Sequence, residues 1–336
     1  MTIKDLVRLS GYSLGTVSRV LNNQPNVSEK ARSTILAIAA EHGFELNASA
    51  QSLKQQRSNA VLVVVKGRSN EMFATMVEQL QVLFAPTTHP LIVDFIDEDD
   101  NEVQRAVHLC RERKPCGLML LGGSNQYFRS DFRPITIPSV VVTHNATGLA
   151  LPNLSSVSTD DRKGADCAAE YLIRSGHRHI AMLGGCTETS DTSARRYEGF
   201  LDAFRRNGLT FDEQRFYYAG RFSYESGYEG MQAVLRRAPE VTAVFAMADV
   251  IAIGAMRALA DAGLRVPDDV SVIGYDGLKI GSFYTPKLTT ISQQVSLLTR
   301  GSFDVLMQCM EQGRPARHIT VPFVLSVRES VRKISE

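Results

Sequence analysis

The chain has 336 residues, 44% of them hydrophobic and 22% charged, with a formal net charge of +1. That length exceeds one small core and suits a large two-lobed unit or several ordinary domains, and the composition excludes disordered and fibrous classes. The total charge decides nothing about nucleic acid, but its distribution is uneven: residues 1–57 carry seven basic side chains (Lys4, Arg8, Arg19, Lys30, Arg32, Lys54, Arg57) against four acidic ones (Asp5, Glu29, Glu41, Glu45), a local excess of three.

In chain order, the first 45 residues read as short helices with tight breaks. Ile3, Leu6, Val7 and Leu9 form an apolar stripe that stops at Gly11. Ser13 caps a second helix with Leu14, Val17 and Val20 or Leu21 inward, and the polar stretch from Asn22 to Pro25 breaks it. Ser28 opens a third helix whose apolar side is Ala31, Ile35, Ile38 and Ala39, ended by Gly43. Two helices joined by Gly11, Tyr12 and Ser13 match a helix-turn-helix. On its second helix Thr16, Ser18, Arg19 and Asn22 lie opposite the inward valines and can donate to phosphates or base edges; taken alone, the helix is equally a solvated face of a larger core. Residues 46–59 are polar and poor in apolar anchors, a linker able to form one short helix from Asn47 that is marginal by itself.

From Ala60 the rhythm changes. Apolar runs at 61–65, 91–96, 117–121, 139–142, 180–183, 243–246 and 270–274 alternate with helical periodicity at 72–84, 102–113, 164–175, 195–207, 224–236 and 251–262, and a last strand-like segment covers 319–325. Strand then helix, repeated, implies mostly parallel sheets covered on both faces, with ligands beyond the carboxyl ends of the strands. No leader pattern and no apolar run of about 18–20 residues is present, so a cytoplasmic protein is expected. The cysteines (Cys110, Cys116, Cys167, Cys186, Cys309) are odd in number and lack C-x-x-C spacing, which reads as buried thiols.

The segment TIKDLVRLSGYSLGTVSRVLNNQPNVSEKAR, the hinge-like NASAQSLK, and the core segments STDDRKGA, LIRSGHRHIAMLGG, ARRYEGF, LRVPDDVSVIGYDG and PKLTTI follow one another in an order that resembles the lactose/galactose repressor (LacI/GalR) family over essentially the whole chain. The resemblance implies an all-α helix-turn-helix headpiece at 1–46, a hinge helix and linker at 47–59, and a two-lobed α/β core of mostly parallel sheets, similar to periplasmic binding proteins, at 60–330, with a tail at 331–336. Lobe one would hold about 60–159 and 291–319, and lobe two about 160–290 and 320–330. It also implies a regulator, most simply a repressor, that binds a pseudopalindromic operator as a homodimer and responds to a small sugar or sugar derivative, without cofactor or metal. A dimer rather than a tetramer is expected, because no heptad segment follows the last strand. A purine- or nucleoside-responsive regulator is the alternative within the class. A sugar-binding transport component would lack the headpiece.

Carried over by resemblance, Leu14 and Gly15 after Ser13 are the positions that vary the operator read, with Arg19 beside them and Ser28 and Lys4 on phosphates. In the hinge Leu53 matches an apolar wedge for the minor groove, Ala50 permits close approach and Lys54 follows; Leu46 stands where relatives usually have proline. For the effector, Arg196 and Asp276 match residues that converge on ligand, and Phe222 matches an aromatic that stacks on it. Asp249 either joins them or caps a helix. Ser69 and Phe73 after the first strand, and His144 with Asn145 after the fourth, line the same opening. Ala248 replaces an amide common in relatives. Lys66 and Arg68 at the mouth either select an acidic ligand or belong to a solvated loop.

Other motifs carry less. His177 and His179 have no third metal ligand nearby. The acidic run from Asp97 to Asp100 reads as a solvated loop at a helix N-terminus. Gly122-Gly123 and Gly184-Gly185 continue neither into G-x-G-x-x-G nor into a phosphate loop, and no catalytic motif supports an enzyme.

Overall fold

The computed structural model describes residues 3–21, 25, 27–42, 44 and 58–334. It divides into two compact units, Met1–Ser58 and Asn59–Glu336.

In the first unit, helices α1 (Ile3–Ser10), α2 (Leu14–Leu21) and α3 (Glu29–Glu41) enclose Leu6, Val17, Val20, Ile35 and Ala39. Gly11 adopts φ +72° after α1, a left-handed turn at little cost to glycine. Ser13 Oγ then accepts the Thr16 N–H at 3.2 Å, and Ser28 Oγ caps α3 by accepting the Ala31 N–H at 3.3 Å.

The second unit contains two six-stranded sheets. The first runs in the order β11-β5-β4-β3-β1-β2, and all its pairings are parallel. Its strands are β1 (Val61–Lys66), β2 (Leu91–Ile96), β3 (Gly117–Leu121), β4 (Ser139–Val142), β5 (Leu154–Thr159) and β11 (His318–Val321). The second runs β12-β10-β9-β8-β6-β7, with β12 antiparallel to β10. Its strands are β6 (Ile180–Gly184), β7 (Tyr217–Ala219), β8 (Ala243–Ala246), β9 (Ser271–Asp276), β10 (Thr289–Gln293) and β12 (Phe323–Ser326). Residues 61–65 are buried on both faces of β1, as a helix-covered parallel sheet requires.

Each sheet with its helices is one lobe, and the chain passes between lobes after β5, after β10 and between β11 and β12. The helix Val295–Gln312 returns to the first lobe, where Phe303 meets Phe84 edge to face at 4.8 Å. Sheet membership extends to Gln293 in lobe two and to Val321 in lobe one, so the later crossings fall beyond the expected 290 and 319. The expected single segment 319–325 is two strands in different lobes, separated at Pro322, whose ring has no N–H to give a ladder. All five cysteines are half-buried rather than buried. No helix among the described residues is long and apolar enough to cross a membrane.

Candidate functional site

On the headpiece, α2 turns Val17 and Val20 into the core and leaves Leu14, Gly15 and Arg19 exposed, with Leu14 50% accessible. Arg19 Nε donates to the Gly15 carbonyl at 3.3 Å, and the Ser13 and Thr16 hydroxyls lie 3.0 Å apart. Ser18 is half-buried, and Lys4 and Ser28 are exposed. The expected Asn22, Ala50, Leu53 and Lys54, with the hinge helix, lie outside the described residues.

In the core, the carboxyl ends of β8 and β9 of the second lobe meet at Arg196, beside the start of the helix Asp161–Arg174 that follows β5. This arginine is 4% exposed in the helix Asp191–Arg206. Its Nε donates to Asp161 Oδ1 at 2.8 Å, a terminal nitrogen lies 3.7 Å from Asp276 Oδ1, and another donates to the Met247 carbonyl. The guanidinium stacks 3.6 Å from the centroid of the Tyr275 ring. Burial opposes its charge, but the carboxylates of Asp161 and Asp276 more than offset this, so its pKa is raised. Gly164 makes the arrangement possible, since a Cβ there would overlap the Tyr275 hydroxyl.

Asp276 ends β9 at φ +113°, a conformation that costs on the order of 1–3 kcal/mol for a residue with a side chain and tends to persist at ligand sites. Thr143, at the end of β4 in the other lobe, is a second such outlier at φ +66°. Burial pushes the Asp276 carboxyl up to about 6, although Arg196 and Gln293 hold it down. Asp249 is completely buried, accepts from Leu278 N and Thr290 Oγ1 at 2.6 Å each, and is pushed up to about 8 by burial and the charge of Asp276. It therefore fixes the loop after Asp276. The capping alternative fails, because Ala248 occupies the N-cap and the Asp249 carboxylate turns away to that loop.

The remaining expected positions separate. Phe222 is half-buried over Gly185, where a Cβ would lie 2.7 Å from its ring. Phe73 is buried against Gly122, and Ser69 is exposed. His144 is buried beside Phe128, and Nε2 lies 3.0 Å from Asn125 Oδ1; burial lowers its pKa to about 4. Asn145 accepts the Thr147 N–H at 2.9 Å in a turn. Lys66 is not part of a solvated loop. Its Nζ lies 2.6 Å from Glu102 Oε2 and 2.9 Å from the Asp100 carbonyl. Arg68 is exposed.

Several residues at the site escaped the sequence reading. Gln293, at the end of β10, donates to Asp276 Oδ1 and accepts from Thr159 Oγ1, each at 2.9 Å, which ties the lobes at their crossing. Asn125 of lobe one donates to Asp191 of lobe two from its backbone at 2.6 Å and its side chain at 2.9 Å. The acidic run is not free in solvent: Arg221, after β7 in lobe two, meets Glu98 at 2.6 Å and Asp99 at 3.4 Å and also pairs with Asp97. Tyr224 likewise donates to Glu71 across the lobes. For Asp161 the signals were its place in the motif STDDRKGA and at a helix start, and a cap explains the second equally well.

An opening of 460 Å³ is lined by Ser124, Asn125, Arg129, Glu188 and Asp191, and another of 350 Å³ by Met72, Thr75, Asp276, Leu278 and Gln293. The smaller one adjoins the buried charges through Asp276 and Gln293, and the larger lies where Asn125 of lobe one meets Asp191 of lobe two.

Residues 2–47 match bacterial regulatory proteins of the lacI family, and residues 169–331 match a periplasmic binding protein-like domain. The chain is 30% identical to the HTH-type transcriptional regulator MalR of Clostridium butyricum over 98% of this chain and 99% of that one. Among solved structures it is similar to the lac repressor dimer bound to operator and the anti-inducer ONPF, with a TM-score of 0.79 and 27% identity over 99% of each chain. A complex of the transcriptional regulator CelR with cellobiose aligns at a TM-score of 0.70 and 26% identity, over 98% of this chain and 99% of that one.

Proposed function

The chain belongs to the lacI family and is a DNA-binding transcription regulator, and from that premise we propose that it is a cytoplasmic homodimeric repressor whose operator affinity is set by a small sugar or sugar derivative bound between the core lobes. One observation carries the effector half of this reading: a buried, charged Arg196 held by Asp161 and Asp276 over the Tyr275 ring, beside the lobe crossing where Gln293 bonds both Asp276 and Thr159. A paired arginine and carboxylate offer fixed donors and acceptors to the hydroxyls of a sugar. The similar structures contain an operator, an anti-inducer and cellobiose, which supports a site shared between DNA control and sugar binding. The relatives are regulators, and we take control of DNA binding, not turnover, as the activity.

We assign residues 1–46 to operator reading, 47–59 to the hinge and 60–330 to effector binding and dimerisation. A ligand that contacts both lobes favours one lobe arrangement, and it can shift operator affinity only by its differential affinity for the arrangements, typically about 1–3 kcal/mol. The test is an anisotropy titration of an operator selected from random-sequence DNA, with and without saturating sugar, at one salt concentration. Arg196→Ala should abolish the sugar response and leave basal operator affinity within about threefold, since the headpiece is untouched. A wild-type protein that binds sugar with unchanged operator affinity would refute the regulatory coupling.

A further inference from the structure

The charges inside the cleft limit what can bind there. Two cations stand at the strand ends that face it, Lys66 closing β1 and Arg196 near the end of β9. Both are already committed. Lys66 Nζ is 2.6 Å from Glu102 Oε2, and the second oxygen of that carboxylate accepts the Ser124 N–H at 2.7 Å, so Glu102 is completely buried with both oxygens used. Arg196 is shared by Asp161 and Asp276. Against these two cations stand three carboxylates, Glu102, Asp161 and Asp276.

Resting on the reading of this cleft as a sugar site, we infer that its ligand is an uncharged polyhydroxy compound, and that Glu102 excludes sugar acids and sugar phosphates by holding the Lys66 ammonium. An anionic ligand would have to draw Lys66 from Glu102, or Arg196 from its two aspartates, and so leave a buried carboxylate without a partner. The hydroxyls of a neutral sugar both donate and accept, and they join the same groups without adding charge. The other cations near the openings, Arg68, Arg129, Arg195 and Lys279, are exposed, where solvent and salt screen them, although Lys279 lines the smaller opening itself. Arg129 also shares the larger opening with Glu188 and Asp191.

The experiment is calorimetric titration of the full chain with glucose, galactose and cellobiose, and with glucuronate, galacturonate and glucose 6-phosphate. The wild type should bind at least one neutral sugar, and the corresponding acid or phosphate at least about tenfold more weakly. Glu102→Gln, which keeps an acceptor for Ser124 but frees the ammonium, should move that ratio toward the charged ligand by about tenfold. The double variant Glu102→Gln/Lys66→Met removes both charges and should return the ratio to the wild-type value, which keeps the test decisive if the single variant does not fold. A wild type that prefers an acid or phosphate overturns this inference and leaves the cleft reading intact, as does a double variant that loses charged-ligand binding the wild type had. An unchanged ratio in folded Glu102→Gln removes Glu102 from the account. Binding of none of the six overturns both the inference and the sugar reading beneath it.

Discussion

Asp276 shows at the scale of one residue how a binding group opposes the fold that holds it. In the unfolded chain its carboxyl ionises near the ordinary 3.8, whereas in the folded protein burial delays ionisation to about 6. Stability tied to this group is complete below about pH 4 and is lost as the pH rises through about 6, amounting to at most about 3 kcal/mol. Asp276→Asn should therefore resist urea better than the wild type at pH 7, with the gap closing at pH 4, and should bind sugar poorly. Urea unfolding at both pH values checks this, and a gap of equal size at both would mean that ionisation of Asp276 is not its source. Arg196 and Asp276 were legible in the sequence because each sits in a contiguous motif, ARRYEGF and VIGYDG. Gln293 was not, because its importance lies in contacts between distant segments, with Thr159 and Asp276; Asp161 lay in the motif STDDRKGA, but its pairing with Arg196, 35 residues away, is not visible in a segment.

At the scale of elements, periodicity carried most of the architecture. The runs 117–121, 139–142 and 243–246 coincide with β3, β4 and β8, because strands buried on both faces are apolar almost throughout, and the run 91–96 coincides with the half-buried edge strand β2. β5 escaped that rule. Its sequence LSSVST buries Ser155 and Ser156 as well as Leu154 and Val157, and these hydroxyls are satisfied by the Arg317 N–H at 3.0 Å and His318 Nδ1 at 2.8 Å. A buried polar strand is affordable only with such partners, and a single sequence does not show them. The headpiece helices were legible for another reason, since their caps and breaks are local. That small core also makes a prediction. Ile35 is completely buried among Leu6, Val17 and Val20, and Ile35→Ala should cost about 2–5 kcal/mol, a large share of what so few apolar residues supply. Calorimetric scans should show the headpiece transition lost and the core transition kept, with operator binding abolished and sugar binding unchanged. Equal weakening of both functions would show that Ile35 supports more than the headpiece.

For the core as a whole, the arrangement of its lobes is held partly by charges at the rim. Arg221 of lobe two meets Asp97, Glu98 and Asp99 of lobe one, and these contacts exist only while the lobes stand as they do here. A ligand that touches both lobes gains from any contact favouring the same arrangement, because less of its own binding free energy goes into bringing them together. The contribution is modest. The Arg221 side chain is 53% exposed, so screening limits the cluster to about 1 kcal/mol or less, roughly a threefold to fivefold change in affinity. Arg221→Ala should thus weaken binding of the best neutral sugar by that factor at 0.05 M salt, and the difference should shrink toward nothing near 1 M, where the Debye length is only about 3 Å. Arg221→Lys keeps a charge without the planar fork that reaches several carboxylates at once, and should fall between the two. Calorimetry on the three proteins at both salt concentrations decides the matter. A loss that persists at high salt would place Arg221 against the ligand itself, and no loss at low salt would mean that the lobes are set by the other contacts between them, Gln293 with Thr159, Asn125 with Asp191 and Tyr224 with Glu71, none of which pairs two opposite charges.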